Sequence, residues 1–280
     1  MEQIYKSYAK INLGLEIISK RPDGYHEINS VFLPITLFDE IHFSSFDKLQ
    51  ITVEPENIKI PLKENLIYKT IKLIQNKYKI NINCINVHLK KKIPIGAGLG
   101  GGSSNAATTL IALNKIFNLD LSVVELKNLA VQIGADVPFF IEPKPSIVRG
   151  IGDKIEPIDF PFDFNLLLVV PNFSINTKYA YSLIKNVQER TPTDFGKILT
   201  QIKVLSEFAE YFTNDFEQYL LPKYPQIKEI KNKLTQIGAK YTSLSGSGST
   251  IFGCFENDFE VNEVRKIFSN ENVILCKVMN

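Results

Sequence analysis

The sequence predicts an α+β protein made of two lobes, and three observations support this. The chain has 280 residues, which is long for one ordinary domain and short for three. Its second half, without its additional helices, follows the order βαββαβ of a ferredoxin-like domain. A stretch with several prolines and little periodicity, Glu142 to Phe162, separates the two parts. We therefore expect one domain at 1–155 and a ferredoxin-like domain at 156–280.

The N-terminal segment predicts two strands joined by a turn. From Tyr8 to Leu15 apolar residues alternate with a second set that includes Lys10 and Asn12, the pattern of a half-buried strand. In Arg21 to Gly24, proline and glycine stand where a turn needs them, so the chain should reverse into a strand near Ile28 to Leu33.

The rest of the first lobe alternates between helical and strand periodicity. We expect a helix from Asn65 to Tyr78, a strand from Ile85 to Leu89, a helix from Ser104 to Phe117, and a helix that Ser122 and Glu125 open as a capping box and Gly134 ends.

The second lobe begins with a strand and ends with one. We expect a strand at Leu166 to Val170, a helix near Pro225 to Gln236, two strands flanking Ser245 to Ser249, a helix near Val261 to Phe268 and a strand at Val273 to Val278.

Composition excludes several classes of protein. Lys and Arg number 32 against 30 Asp and Glu, so the chain lacks the positive field that recruits nucleic acid. Met1 to Lys10 contain no basic region followed by an apolar core, and the sequence has no run of about 18 apolar residues, so we expect a cytoplasmic protein without a membrane partner. The three cysteines and three histidines are dispersed, so neither a disulfide framework nor a protein-held metal is expected.

The strongest motif is a glycine-rich segment between a predicted strand and a predicted helix. Backbone without Cβ atoms approaches an anion closely, and the N–H groups at the start of the following helix then point at it, so this segment predicts a phosphate site. It consists of Pro94, Ile95, Gly96, Ala97, Gly98, Leu99, Gly100, Gly101, Gly102, Ser103 and Ser104.

Two other phosphate loops are excluded. A Walker loop needs lysine where Gly102 stands. The dinucleotide fingerprint G-x-G-x-x-G is matched, with Asp120 at a suitable distance, but Ser104 to Ile133 is helical where that fold needs a second strand. Lys90 to Lys92 precede the segment, and the sequence leaves open whether they contact a polyphosphate or form a solvated strand end.

The glycine-rich segment resembles the phosphate loop of the GHMP kinase superfamily, which groups galactokinase, homoserine kinase, mevalonate kinase and phosphomevalonate kinase. The resemblance implies a two-lobed GHMP kinase fold. Its N-terminal lobe, at 1–155, would be ribosomal-protein-S5-domain-2-like and bind ATP, and its C-terminal lobe would be ferredoxin-like.

Further segments resemble one family of this superfamily, the 4-diphosphocytidyl-2-C-methyl-D-erythritol kinases of the non-mevalonate isoprenoid pathway. These segments are Ala9 to Leu13, Arg21 to His26, Gly134 to Phe140, Ser245 to Thr250, and Asn214 to Glu217, where Phe216 replaces the leucine of the family's N-D-L-E stretch.

The resemblance implies the catalytic residues. Asp136 would take the proton from the substrate hydroxyl, and Lys10 would neighbour it and hold it ionised. Asn12 would orient the substrate, and Ser245 to Ser249 would line the site with backbone N–H groups. Asn65 opens the helix near which the family binds adenine.

The resemblance also implies a cytosine site. Tyr25 would stack on the base and His26 would read its polar edge. A second aromatic ring should complete the sandwich, and we expect Tyr181, with Tyr179 as the alternative.

The implied reaction is transfer of the γ-phosphoryl group of ATP to the 2-hydroxyl of 4-diphosphocytidyl-2-C-methyl-D-erythritol, with Mg²⁺ bound alongside the nucleotide. Two alternatives stay open. The chain could be another GHMP kinase, acting on homoserine or mevalonate, or a catalytically silent nucleotide-binding protein. The sequence makes no prediction about its oligomeric state.

Overall fold

The computed structural model describes residues 2–185, 187–256 and 261–279, without the side chains of 261–263. The chain forms two compact units, both discontinuous in sequence. The first unit contains Met1–Ala9, Leu37–Ile95 and Gly100–Pro143, and the second contains Lys10–Thr36, Gly96–Leu99 and Lys144–Asn280. The boundary expected at residue 155 stays a prediction.

The strands are β1 (Gln3–Lys20), β2 (His26–Ser45), β3 (Gln50–Glu54), β4 (Ile85–Lys90), β5 (Ser146–Gly150), β6 (Lys154–Pro157), β7 (Asn165–Val170), β8 (Tyr241–Leu244), β9 (Ile251–Phe255) and β10 (Asn272–Lys277). The α-helices are α1 (Leu66–Tyr78), α2 (Gly101–Ile116), α3 (Val123–Ile133), α4 (Thr177–Ser182), α5 (Phe195–Gln201), α6 (Phe208–Tyr211), α7 (Phe216–Leu220), α8 (Pro225–Gln236) and α9 (Val261–Ile267).

In the first unit, the second half of β2 pairs with β4, which pairs in turn with β3. The β2–β4 pair is antiparallel and the β3–β4 pair is parallel. Helix α1 begins after Asn65, whose side chain accepts a hydrogen bond from the backbone N–H of Ile67 at 2.9 Å. The capping box of Ser122 and Glu125 is present at the start of α3, and Gly134 ends this helix, as predicted.

The second unit contains a four-stranded antiparallel sheet in the order β10-β7-β9-β8. In chain order these are the fourth, first, third and second strands of the βαββαβ unit, so the ferredoxin-like arrangement is confirmed. Its core includes Leu167 and Val169 of β7, Ile227 and Leu234 of α8, and Phe216.

The stretch of little periodicity in which we expect the domain boundary, Glu142 to Phe162, contains two strands. In the second unit, β5 pairs with the first half of β2 and then with β6. These strands have five and four residues. Segments this short, flanked by prolines, are too brief to show a period of two, and this is why the sequence pattern missed them.

Strand β1 is buried on both faces, not half-buried as its alternation predicted. All residues from Ala9 to Ile18 are buried, including Lys10 and Asn12. Polar residues tolerate burial when hydrogen bonds satisfy them, and alternation does not reveal such partners.

Within the described residues, no helix has the length and apolar character needed to cross a membrane.

Candidate active site

The glycine-rich segment depends on backbone conformations that favour glycine. Gly96, Gly98 and Gly100 all have left-handed φ angles, of 64°, 78° and 69°. The intervening Ala97 and Leu99 are buried. The segment therefore alternates between glycines in the left-handed conformation and residues whose buried side chains anchor it.

The middle of this segment is bonded to the loop between β8 and β9, inside the second unit. The N–H of Thr250 donates to the carbonyl of Ala97 at 3.2 Å, and the hydroxyl of Ser245 donates to the carbonyl of Gly98 at 3.0 Å. A Cβ atom at Gly98 would lie 2.1 Å from the carbonyl oxygen of Ser245. Only glycine fits this position.

The end of the segment forms the first turn of α2, in the first unit. Gly100 is the N-cap residue, so α2 begins three residues earlier than predicted and takes Gly101 and Gly102 into its first turn. Because Gly100 has no side chain to cap the helix, the first N–H groups of α2 are open to a ligand. This is the geometry that binds phosphate.

Ser104 lies on the buried side of that turn. Its side chain accepts a hydrogen bond from the hydroxyl of Ser7 at 2.7 Å, and the residue is 1% exposed.

Lys10 and Asn12 form a buried chain of hydrogen bonds in the second unit. Lys10 Nζ donates to Asn12 Oδ1 at 2.5 Å and lies 4.4 Å from the ring centre of Phe32. Asn12 Nδ2 donates to Ser30 Oγ at 3.0 Å, and this hydroxyl donates to the carbonyl of Gly14 at 2.6 Å. The ammonium of Lys10 is therefore held in a fixed position.

The two glycine-containing loops meet beside this chain. A Cβ atom at Gly246 would lie 3.3 Å from Asn12 Oδ1, 3.5 Å from the carbonyl oxygen of Gly98 and 3.7 Å from Lys10 Nζ. The second unit thus gathers four of its predicted site elements in one place: Lys10, Asn12, Gly98 and the loop of Gly246.

Asp136 lies in the first unit, directly before a 3₁₀ turn at Val137–Ile141. Among the described residues, its side chain makes no capping hydrogen bond to this turn. Its pairing with Lys10 stays a prediction.

The residues predicted to bind cytosine are brought together in part. The ring of His26 stacks on Tyr181, with ring centres 4.9 Å apart and planes at 19°. Tyr181 packs edge-on against Phe216. Tyr25 is 60% exposed and Tyr179 is 40% exposed. Of the two tyrosines considered for the second ring, Tyr181 is therefore the one that contacts His26.

His26 is unusual because it is buried yet incompletely hydrogen-bonded. Within the described chain its Nε2 has no hydrogen-bond partner. Burial lowers the pKa of the imidazole below its ordinary value of 6.5, and the charge of Lys20 lowers it further. A neutral imidazole with an unused nitrogen is suited to a polar ligand edge.

Sequence reasoning assigned no role to Asn214, which supports the loop of Gly246. Its Nδ2 donates to the carbonyls of Leu244 at 2.7 Å and of Gly246 at 2.8 Å. Glu217 accepts from the N–H of Leu244 at 2.8 Å. The available signal was the segment from Asn214 to Glu217, which resembles the family's N-D-L-E stretch.

Two of the three lysines before the glycine-rich segment differ in environment. Lys92 is exposed and paired with Glu40 at 2.8 Å. Lys91 is buried and paired with Asp39 at 2.7 Å. Lys91 therefore fits neither of the alternatives that the sequence left open, a phosphate contact or a solvated strand end.

No group of three or more His, Cys, Asp or Glu side chains that could hold a metal occurs within the described part of the chain.

Comparison with known proteins agrees with this geometry. The family model "GHMP kinases N terminal domain" matches residues 65–143, and the model "GHMP kinases C terminal" matches residues 183–274. A protein of Thermodesulfovibrio yellowstonii named 4-diphosphocytidyl-2-C-methyl-D-erythritol kinase is 43% identical over 270 residues, covering 94% of this chain and 93% of its own. A protein of the same name from Parabacteroides distasonis is 40% identical over 263 residues, covering 94% of each chain.

Solved structures give the same result. A crystal structure of 4-(cytidine 5'-diphospho)-2C-methyl-D-erythritol kinase superposes with a TM-score of 0.83 at 26% identity, covering 99% of this chain and 100% of the other. The mevalonate kinase of Methanococcus jannaschii, with a TM-score of 0.74 at 16% identity over 100% and 99% of the two chains, shares the fold. The two-lobed GHMP kinase fold is thus confirmed, and the chain belongs to the 4-diphosphocytidyl-2-C-methyl-D-erythritol kinase family of the GHMP kinases.

Proposed function

We propose that the protein transfers the γ-phosphoryl group of ATP to the 2-hydroxyl of 4-diphosphocytidyl-2-C-methyl-D-erythritol, a step of non-mevalonate isoprenoid precursor biosynthesis. The observation that carries the substrate assignment is His26. Its imidazole is buried and stacked on Tyr181, and its Nε2 has no partner among the described residues. A buried polar nitrogen without a partner is costly, and a base edge would satisfy it.

The glycine-rich segment would hold the triphosphate. The left-handed Gly96, Gly98 and Gly100 keep its backbone free of Cβ atoms, and the start of α2 supplies N–H groups and the positive end of the helix dipole. The loop of Gly246 lies against Gly98 and would add backbone donors to the same ligand.

The proposed reaction requires little covalent chemistry from the protein. Phosphoryl transfer depends on in-line positioning of the hydroxyl and on neutralising the charge of the transferred group. Asp136 would accept the proton of the 2-hydroxyl, with Lys10 as its partner, and no phosphoenzyme is required. The fixed ammonium of Lys10, bonded to Asn12, supports this role.

Cytidine recognition would use both faces of the base. Tyr181 would provide one aromatic surface and Tyr25 the other, while His26 hydrogen-bonds the polar edge. The high exposure of Tyr25 leaves its ring accessible to a ligand. Stacking on an aromatic side chain is worth about 1 to 3 kcal/mol per base.

Mg²⁺ would arrive with the nucleotide, since this ion is commonly bound through substrate phosphates. When bound, it would neutralise the charge that develops on the phosphates.

An ADP-release assay tests this function. The purified protein is given ATP, Mg²⁺ and, in separate reactions, 4-diphosphocytidyl-2-C-methyl-D-erythritol, homoserine or mevalonate. We expect ADP release only with the cytidyl substrate, because the other two have no base for His26 and Tyr181 to hold. Turnover of homoserine or mevalonate in its place would refute the substrate assignment. ATP binding without turnover of any acceptor would make the protein a silent nucleotide binder.

A further inference from the structure

A buried polar cluster lies beneath the first turn of α2, entirely within the first unit. We call it the Asp39 cluster, and it consists of Ser7, Asp39, Lys91, Ser104 and Asn105. All five residues are 8% exposed or less. They come from β1, from β2, from the residue after β4 and from α2. Four separate segments of the chain therefore meet there.

Asp39 is the centre of this cluster, and both carboxylate oxygens are used. Oδ1 accepts from the backbone N–H groups of Lys92 at 2.7 Å and Ile93 at 2.8 Å. Oδ2 accepts from Lys91 Nζ at 2.7 Å and from Asn105 Nδ2 at 2.9 Å. One carboxylate thus binds the chain leading into the glycine-rich segment and, through Asn105, the helix that follows it.

Lys91 extends from the cluster towards the glycine-rich segment. Its Nζ also donates to the carbonyl of Ile93 at 2.6 Å. A Cβ atom at Gly101 would lie 3.0 Å from this Nζ and 2.8 Å from Cγ2 of Ile93. The ammonium therefore lies against the first residue of α2, where glycine permits this close approach.

Asn105 connects the cluster to the rest of the first turn. Its Nδ2 donates to Ser7 Oγ at 2.9 Å as well as to Asp39, and Ser7 donates to Ser104 Oγ at 2.7 Å. Each member is thus bonded to another member, and α2 is fixed at Ser104 and Asn105, immediately behind its open N–H groups.

Two simpler roles for Lys91 fit less well. Its side chain is 3% exposed and its Nζ already donates twice, so it is not placed as a direct phosphate ligand. A buried ion pair is also a poor means of stabilising a fold, because desolvation of the two charges offsets most of their attraction. What distinguishes this pair is that its hydrogen bonds end on both sides of the glycine-rich segment.

We propose that Lys91 and Asp39 are positioning residues for the nucleotide, which hold the chain before the glycine-rich segment and the first turn of α2 in the relative position that binds the phosphates. This inference rests on the proposed assignment of nucleotide to that segment. It predicts an effect on nucleotide affinity that is separable from stability and from the cytidyl substrate.

The test uses three variants: Lys91→Met, Asp39→Asn and the double variant. Each single change leaves an unpaired buried charge or donor, so both should lower the melting temperature strongly. The double variant removes both charges and should melt closer to the wild type. If positioning is the role, its Kd for ADP and its KM for ATP should still rise about 10- to 100-fold, since small misplacements have effects of this size. Its KM for the cytidyl substrate should not change.

Leu113→Ala is the matched control, because Leu113 is fully buried in the same helix but lies outside the cluster. It should lower stability without weakening ADP binding. If the double variant binds ADP like the wild type, or if Leu113→Ala weakens ADP binding equally, the cluster is merely structural. Should the double variant not fold, Asn105→Ala gives the same reading, since it removes the link from Asp39 to Ser7 while keeping the charge pair.

ADP binding is measured by calorimetry without any acceptor. A wild-type protein that binds ADP but phosphorylates no acceptor would refute the proposed function and still permit this test.

Discussion

The imidazole of His26 stacks on the ring of Tyr181, with ring centres 4.9 Å apart. Because the proposed cytidine site includes both rings, Tyr181 should contribute to cytidine binding. We expect Tyr181→Leu to raise the KM for the cytidyl substrate about 5- to 150-fold, the equivalent of losing one stacking contact. Steady-state kinetics at saturating ATP measure this.

Tyr179→Leu is the matched control for this change. Tyr179 belongs to the same helix and is 40% exposed, so its loss should leave the KM near that of the wild type. A larger effect from Tyr179 than from Tyr181 would reverse the assignment of the second aromatic ring. Because Tyr181 also packs on Phe216, the melting temperature of each variant should be recorded alongside.

His26 should make stability depend on pH. Burial lowers its folded-state pKa below 6.5, with a further contribution from Lys20. The unfolded chain therefore binds this proton more readily than the folded protein does, and stability falls as pH falls through about 6.5 but is unaffected above it. We expect the wild type to lose more unfolding free energy than His26→Gln between about pH 8 and about pH 5.5.

Denaturant titrations at both pH values measure this difference. Equal losses in the two proteins would show that His26 is not the group responsible. The same protonation should weaken cytidyl binding, because an imidazolium lacks an acceptor nitrogen.

Asp136→Asn tests the proposed base. Removing a general base costs about 10²- to 10⁴-fold in rate, so kcat should fall by this factor while the KM for ATP changes little. Asp120→Asn is the control, since Asp120 is an exposed aspartate of the same unit. A near wild-type kcat for Asp136→Asn in the ADP-release assay would mean that another group accepts the proton.

Local signals in the sequence were sufficient for several elements. Helix α8 begins at Pro225, and α3 begins with the capping box of Ser122 and Glu125, as expected. Both helix starts depend on residues within a few positions of each other, so a single sequence is enough to recognise them. The glycine-rich segment can be recognised from one sequence for the same reason.

The supporting residues could not be found in this way. Asp39 and Asn105 are 66 positions apart, and Asn214 and Gly246 are 32 apart. No local spacing relates such pairs, and Asp39, Asn105 and Asn214 each have the character of an ordinary polar residue when taken alone. Their burial and partners depend on tertiary packing, which one sequence does not display.

Gly98→Ala tests whether the close approach of the two loops is needed for activity. The new Cβ would meet the carbonyl oxygen of Ser245 at 2.1 Å, and φ at this position is 78°. Since the contacted oxygen is a backbone atom, relief requires moving either the glycine-rich segment or the loop that contains Ser245 and Gly246. We expect a lower melting temperature together with loss of kinase activity in the ADP-release assay.

Gly238→Ala separates the clash from the cost of a left-handed residue. Gly238 has φ of 101° but nothing within 4 Å of its Cβ position, and it lies in the turn between α8 and β8. It should lower stability by about 1 kcal/mol, the scale of left-handed strain, with unchanged kcat. If Gly98→Ala behaves like Gly238→Ala, losing stability but keeping full activity, then the contact between Gly98 and Ser245 maintains the fold and has no part in arranging the site.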